Sequence, residues 1–241
     1  MTDNGELLRQ FVKDGSDRAF GGLVSVHVDL VYCTALRKLG GDTHLAQDIT
    51  QTVFADLARK ARMLPANVVL GGWLYRHTCF RASEALRKER RRKIREQTAM
   101  EMKELNDDSD AMWRQIAPLI DDAMQRLNSR DRDAIVLRFF ERKDLRTVGA
   151  TLGINDDAAQ KRVARALEKL RGVLSRRGAT LTATTLASAM AAEAVTAAPD
   201  GIALSVTAAS LAGVAGSGTT PMLLKSSITG RSMRSPTGTS L

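Results

Sequence analysis

Cysteine, proline and aromatic side chains are scarce in this sequence. Of its 241 residues, two are cysteine, five are proline and 4% are aromatic. Two thiols, Cys33 and Cys79, are too few for a disulfide framework, which excludes the small secreted domains that depend on one. The opening stretch, MTDNGELLRQF, lacks the basic start and apolar run of a secretory signal. We therefore expect a reduced, cytoplasmic protein.

Patterns that would indicate an enzyme are also missing. The three histidines, His27, His44 and His77, are scattered, and His77 with Cys79 forms an i, i+2 pair that points to different faces of a helix. No nucleophile, metal-ligand or phosphate-loop pattern accompanies them. We expect a protein that is not an enzyme, with no metal, no cofactor and no small-molecule substrate.

Charge is nearly absent from the C-terminal quarter. From Ala179 to Leu224 the only charged residues are Glu193 and Asp200, among Ala, Thr, Ser and Gly. The most apolar part, IALSVTAASLAGVAG, is too short and too rich in Ser and Thr for a membrane span, which needs about 20 apolar residues. Residues 178–241 are interpreted as a low-complexity extension that is disordered or loosely helical.

Basic residues and strong helix formers are abundant. The formal net charge is +9, which favours a polyanionic partner, either nucleic acid or an anionic membrane surface. The stretch LRKERRRKIR, residues 86–95, concentrates that charge. The wealth of Ala, Leu, Arg, Lys and Glu up to about residue 177 predicts an all-α protein.

Apolar periodicity predicts three helices in the first part of the chain. The first covers 20–39 and stops at Gly40, the second has Asp42 or Thr43 as its N-cap, and the third runs from Trp73 to about Glu96. These form a predicted domain, residues 5–97. The acidic residues 98–114 are predicted to be a flexible linker. A second helical domain, residues 115–177, follows, with Ser129 as a predicted helix cap.

The sharpest pattern is DLRTVGATLGINDDAAQKRVARALEKLR, residues 144–171. A short helix meets a turn at Gly153, and a second helix is capped by Asn155 or Asp156. This layout is typical of a helix-turn-helix, whose second helix enters the DNA major groove. Its predicted buried stripe is Ala159, Val163, Ala166, Leu167 and Leu170. The opposite face would present Asp157, Gln160, Lys161, Ala164 and Arg165. Gln160 and Lys161 suit base edges, whereas Arg162 and Arg146 suit phosphates.

These motifs, in this order, resemble the sigma-70 family of bacterial RNA polymerase sigma factors, of the extracytoplasmic-function type. AFGGLVSVHVDLVYCTALRKLGGDTHLAQDITQTVFADLARKA and GGWLYRHTCFRASEALRKERRRKIRE are similar to region two. AMQRLNSRDRDAIVLRFFERKDLRTVGATLGINDDAAQKRVARALEKLRG is similar to region four. The resemblance implies promoter DNA and core RNA polymerase as partners, and leaves open an anti-sigma factor.

The resemblance also implies a role for each surface. The helix-turn-helix would read the minus-thirty-five element, and the helix with DITQTVF would dock on the coiled coil of the polymerase clamp. The third helix would hold the single-stranded minus-ten element, since aromatics beside basic residues suit unstacked bases. The implied polymerase contacts are Asp48, Gln51, Thr52 and Asp56. The implied minus-ten contacts are Trp73, Arg76, His77, Phe80, Arg87, Lys88, Arg91 and Arg92.

Two other classes of protein would share some of these features. A stand-alone helix-turn-helix regulator would usually need a dimerisation helix for two half-sites, which is not evident, and would leave DITQTVF without a role. A basic protein of the membrane surface would leave the groove-matched helix unexplained. Promoter-specific transcription initiation is therefore the expected function.

Overall fold

A computed structural model describes residues 4–65, 67–96, 111–179, 181–193 and 195–216. Within these ranges every regular element is helical and no strand occurs, which confirms the predicted all-α class. Most of the predicted acidic linker, 98–114, lies outside the described residues, and its last positions begin α5.

Five helices form the first module, namely the first four of the chain and the last one described. They are α1 (Asn4–Asp14), α2 (Asp17–Lys38), α3 (Thr43–Lys60), α4 (Leu70–Glu96) and, from the C-terminal extension, α10 (Ile202–Gly216). Asp42 caps α3, because its carboxylate accepts a hydrogen bond from the backbone N–H of Leu45 at 2.9 Å. The core of this module is made of residues such as Phe20, Leu23 and Phe54, all fully buried.

The second module contains the remaining helices. They are α5 (Ala111–Gln125), α6 (Ser129–Ile135) with a π-helical continuation (Val136–Phe140), α7 (Leu145–Leu152), α8 (Asp156–Ser175) and α9 (Ala183–Glu193). The predicted cap at Ser129 is wrong by one residue. Asn128 has the extended backbone of a cap, and its side chain accepts the N–H of Asp131 at 2.9 Å, so Ser129 is already the first helical residue.

Helix α2 is long and apolar enough to cross a membrane by length and composition. However, 67% of its most apolar window is buried inside the protein. Such burial is typical of a core helix, and the apolar faces of α2 are covered by α1, α3, α4 and α10.

The two modules touch along a seam between α2, α4 and α5. The carboxylate of Asp121 is fully buried there. It accepts hydrogen bonds from the Tyr75 hydroxyl at 2.6 Å and from Arg37 Nε at 3.2 Å. Burial and the neighbouring carboxylate raise the pKa of Tyr75, so the phenol stays protonated and remains a donor.

Around Asp121 the seam is both apolar and ionic. Leu30, Tyr75 and Cys79 of the first module pack in the same cluster as Ile120 and Ile135 of the second. At its edge Lys38 pairs with Asp122 at 2.7 Å, and Arg177 pairs with the same carboxylate at 3.0 Å. The side chain of Asp122 is 41% exposed, in contrast to that of Asp121.

A second buried polar pair lies farther along the seam. His27 Nδ1 is 3.7 Å from Glu141 Oε1, and neither atom has a hydrogen-bond partner. Burial lowers the pKa of His27 to about 4 and raises that of Glu141 to about 7. The histidine is therefore neutral at physiological pH, and it acts in packing.

The two neighbouring aspartates of α5 provide a matched test of the seam. Replacing Asp121 with Ala removes the buried acceptor that Tyr75 and Arg37 share, and should lower the free energy of unfolding by about 3 kcal/mol. Asp122→Ala removes a surface pair and should cost less than about 1 kcal/mol. Urea denaturation of both variants measures the difference. Equal losses would contradict the central role of Asp121.

Candidate nucleic-acid interface

The helix-turn-helix is built by local signals at each end of its two helices. Asp144 caps α7 by accepting the Thr147 N–H at 2.7 Å, and Asn155 caps α8 by accepting the Ala158 N–H at 2.8 Å. Gly153 between them has a φ of +67°, the left-handed conformation that glycine adopts at least cost. The predicted turn and the Asn155 cap are confirmed.

Gly149 closes the angle between the two helices, a role that the sequence pattern did not reveal. A Cβ atom at this position would lie 2.7 Å from the backbone oxygen of Ile154. The first helix can therefore approach the turn only with glycine here. Ile154 itself is half-buried against Leu137, Val148 and Ala159.

The second helix, α8, has the two faces that its sequence predicts. The five predicted stripe residues, Ala159, Val163, Ala166, Leu167 and Leu170, are all buried. The predicted outer face is exposed at every position, namely Asp157, Gln160, Lys161, Ala164 and Arg165. No described element covers the amino-terminal half of this face, so it is free to enter a groove.

Arg162 and Arg146 differ from each other in their surroundings. Arg146 on α7 is exposed. The Arg162 side chain is only 23% exposed, and its Nη1 lies 3.8 Å from Asp131 Oδ1. Asp131 also pairs with Lys169 at 2.5 Å. Arg162 is thus held against α6 by an internal carboxylate.

On α4 three rings stack along one face. Trp73 and His77 are nearly parallel with centroids 4.7 Å apart, and His77 and Phe80 follow at 6.4 Å. Trp73 is half-buried against the first core, whereas 55% of Phe80 is exposed. The spacing i, i+4, i+7 places the three on one side of the helix. Phe80 is therefore the most exposed of the three rings.

A buried carboxylate fixes in place the aromatic ladder that Trp73, His77 and Phe80 form. Asp56 of α3 is 1% exposed and accepts hydrogen bonds from His77 Nε2 at 2.7 Å, Arg81 Nε at 2.8 Å and Arg59 Nη2 at 2.5 Å. Burial raises its pKa, but the hydrogen bonds from His77, Arg59 and Arg81 outweigh that effect and hold the pKa far below its ordinary value. Asp56 ties α3 to α4 through these bonds.

Basic side chains flank the aromatic ladder. Arg76, Arg87 and Lys88 are exposed on α4. The backbone of α4 continues through Arg91 and Arg92 to Glu96, while the side chains of those two arginines lie outside the described residues. An exposed aromatic ring with cations beside it is the arrangement that single-stranded nucleic acid favours.

The outer strip of α3 carries the other predicted polymerase contacts. Asp48 and Gln51 are exposed and Thr52 is half-exposed. The Thr52 hydroxyl donates to the backbone oxygen of Asp48 at 2.8 Å. Asp56 lies on the same helix but its carboxylate faces α4, so the family resemblance grouped residues that the fold separates.

Metal-binding side chains are not clustered within the described ranges. Among those residues, no group of three or more His, Cys, Asp or Glu side chains lies where it could hold a metal ion. The surfaces that combine exposure, charge and shape are the face of α8 and the face of α4. The helix-turn-helix of α7 and α8 places the chain in the class of helical DNA-binding proteins.

Comparison with known proteins agrees with this class. Residues 123–172 match the family described as Sigma-70, region 4. RNA polymerase sigma factor CarQ of Myxococcus xanthus is 32% identical over 165 residues, which cover 67% of this chain and 92% of CarQ. The structure of CnrH in complex with the cytosolic domain of CnrY matches 72% of this chain and 99% of that chain with 20% identity, at a TM-score of 0.36.

The chain therefore belongs to the sigma-70 family of RNA polymerase sigma factors. It is of the extracytoplasmic-function type, a non-enzymatic factor that directs transcription initiation. The predictions of family and of function made from the sequence are confirmed.

The hydrogen bonds at Asp56 predict a specific dependence on pH. A carboxylate whose pKa is depressed by folding adds stability that is present above the unfolded pKa, near 3.8, and is lost as the pH falls. Asp56→Asn should reduce the free energy of unfolding by about 2 kcal/mol at pH 7. The gap between the native chain and this variant should stay constant down to about pH 5 and shrink below about pH 4.

Asp48→Asn, on the exposed strip of the same helix, is the control and should change stability little. Denaturant unfolding across pH 3 to 8 measures both variants. A gap for Asp56→Asn that does not vary with pH would show that the carboxylate charge contributes nothing.

Proposed function

We propose that this sigma factor divides promoter recognition between its two modules and binds core RNA polymerase through α3. The exposed face of α8 reads the minus-thirty-five element as duplex, and α4 holds the single-stranded minus-ten element. The site of action is the cytoplasm, where the polymerase and the DNA are.

The observation that carries the proposal for duplex DNA is the two-faced burial of α8. Gln160 and Lys161 lie in its first two turns with Arg165 one turn later, and all three are exposed. Gln pairs bidentately with adenine, and Lys or Arg pairs with guanine, so these side chains suit base edges in a major groove. Arg146, exposed on the neighbouring helix, suits a flanking phosphate. Arg162 is assigned to holding α8 on α6 through Asp131.

The proposal for the minus-ten element rests on the ladder of α4. A base that leaves the duplex stack regains stacking energy on an exposed ring, and Phe80 ends the ladder with its face open. Arg76, Arg87 and Lys88 supply the cations for the backbone beside it. Trp73 and His77 stack behind Phe80 and fix the orientation of its ring. Arg91 and Arg92 extend the same basic run in sequence.

The proposed polymerase contact uses the strip of α3 that points away from the core. Asp48, Gln51 and Thr52 form it, and no described element covers the first two. The proposed partner is the coiled coil of the polymerase clamp. Asp56 contributes by positioning α3 on α4 rather than by direct contact, because its carboxylate is buried.

Removing two basic side chains from α8 tests the proposal for duplex DNA. Lys161→Ala combined with Arg165→Ala should weaken binding of an upstream promoter fragment at least tenfold, because a good base contact is worth about 1 to 3 kcal/mol. Arg176→Ala, an exposed arginine at the far end of α8, is the control. Fluorescence anisotropy with duplex DNA measures all three chains. Binding of core polymerase should be unaffected, and its loss together with DNA binding would contradict the division of roles.

Replacing the exposed ring of α4 tests the proposal for melted DNA. Phe80→Ala should weaken binding of a single-stranded minus-ten oligonucleotide by about 1 to 3 kcal/mol, while Phe80→Trp should preserve it. Competition between these chains for the same labelled strand gives the ratio directly. Equal affinities for the Ala and Trp variants would assign the stacking role to another residue.

A further inference from the structure

The C-terminal extension bridges the two modules. Helix α9 packs on α8 and the π-helical segment of the second module, with Leu186 and Met190 fully buried. Helix α10 packs on α2 and α3 of the first module, with Ile202 and Val206 buried in its core. One continuous segment therefore makes an apolar contact with each half of the protein.

The peptide that crosses between α9 and α10 is fixed on both sides. On the first module, Asp29 Oδ1 accepts the Ala198 N–H at 2.8 Å and Cys33 Sγ donates to the Thr196 oxygen at 3.0 Å. On the second module, Arg142 Nη2 donates to the Val195 oxygen at 2.9 Å. The Val195 side chain packs against both cores. Beside this peptide lies a cavity of about 550 Å³ at the seam.

The forces that hold the extension are apolar burial and hydrogen bonds between its uncharged backbone and the side chains of Asp29, Cys33 and Arg142. Val206 of α10 is 1% exposed, whereas Leu204 on its opposite side is 79% exposed. Of the acids in this segment, Asp200 is exposed and Glu193 ends α9. A contact of this kind depends little on salt, in contrast to the contact of a basic surface with phosphates.

The bridged arrangement brings the two DNA-reading surfaces close together. The rings of Tyr75 on α4 and Phe140 beside α6 are 5.3 Å apart, and α8 packs directly on α6. Helix α8 has 20 residues, a length of about 30 Å, so the two surfaces lie within a few tens of ångströms. This step rests on the proposed function. Minus-ten and minus-thirty-five elements are separated by roughly 25 base pairs, or about 85 Å at ~3.4 Å per base pair.

We propose that residues 183–213 form an intramolecular strap that holds the two modules together and keeps the free protein from engaging both promoter elements. Release of the strap, together with opening of the seam at Asp121, lets the modules separate to the spacing of the DNA. The strap leaves Asp48 and Gln51 exposed, so polymerase can contact α3 before the modules part. The order that follows is docking on polymerase, opening of the strap and then promoter binding.

The test uses the full-length chain and measures the distance between the modules. Spin labels on the exposed positions Lys13→Cys and Ser175→Cys report on α1 and α8, while the native thiols Cys33 and Cys79 are buried. Asp29→Ala removes the acceptor of the Ala198 N–H, and Asp29→Asn retains an oxygen in the same place. In the Ala variant the ratio of open to closed molecules should rise about fivefold, the effect of one lost hydrogen bond. The Asn variant should match the native chain.

A second pair of variants tests the apolar part of the strap. Val206→Ser changes the buried face of α10, and Leu204→Ser changes the exposed face. Only Val206→Ser should lengthen the measured distance. A melting curve of the full-length Val206→Ser chain shows whether this variant remains folded, and the Asp29 pair gives the answer if it does not.

A transcription assay tests whether the strap inhibits initiation. With core polymerase and a promoter fragment selected from a library by the native chain, Asp29→Ala should raise the yield of transcripts in proportion to the open fraction. Unchanged distances in both Asp29→Ala and Val206→Ser would overturn the strap. Longer distances without more transcripts would overturn its inhibitory role. Failure of the DNA assignment is seen separately, as normal promoter binding by the Lys161→Ala, Arg165→Ala chain.

Discussion

The arrangement of the whole molecule depends on the buried carboxylate of Asp121. A charge without water is costly unless donors surround it, so the position of Asp121 dictates where Tyr75 and Arg37 must lie. These residues come from α5, α4 and α2, and satisfying one carboxylate fixes three helices from two modules. The ring of Phe140 beneath the Arg37 guanidinium, 5.1 Å from its centroid, adds the second module's core to the same contact.

The same device recurs where helices of this basic protein meet. Asp56 gathers His77, Arg59 and Arg81 between α3 and α4, and Asp131 gathers Lys169 and Arg162 between α6 and α8. In each case an acid between two helices pairs with basic side chains, because a charge that packing removes from water without a partner is costly. The exposed face of α8 keeps the basic side chains Lys161 and Arg165. Acids thus pair with basic side chains between helices, whereas other basic side chains remain exposed on the face of α8.

Function follows from which side chains this internal pairing leaves on the surface. Lys161 and Arg165 project from α8, while Arg162, between them in sequence, is turned inward. On α4 the ladder from Trp73 to Phe80 is supported by Asp56 and ends in an exposed ring. The extension then adds a contact that is apolar rather than ionic, so the closed form and the DNA-bound form respond differently to salt.

The sequence alone determined the elements whose signals are local. The Gly153 turn, the caps at Asp42 and Asn155, and the buried stripe of α8 each depend on residues within a few positions, so periodicity and turn chemistry predict them. The order of motifs was also sufficient to identify the family. Only the tertiary structure decided which charged residues pair with one another between helices. Asp56 and Arg162 look like surface residues by spacing, but His77 and Arg81, which bind Asp56, and Asp131, which pairs with Arg162, are distant in the chain, and no local pattern brings them together. The same reason applies to the extension, whose helices α9 and α10 have weak signals of their own and are ordered by the two cores they cover.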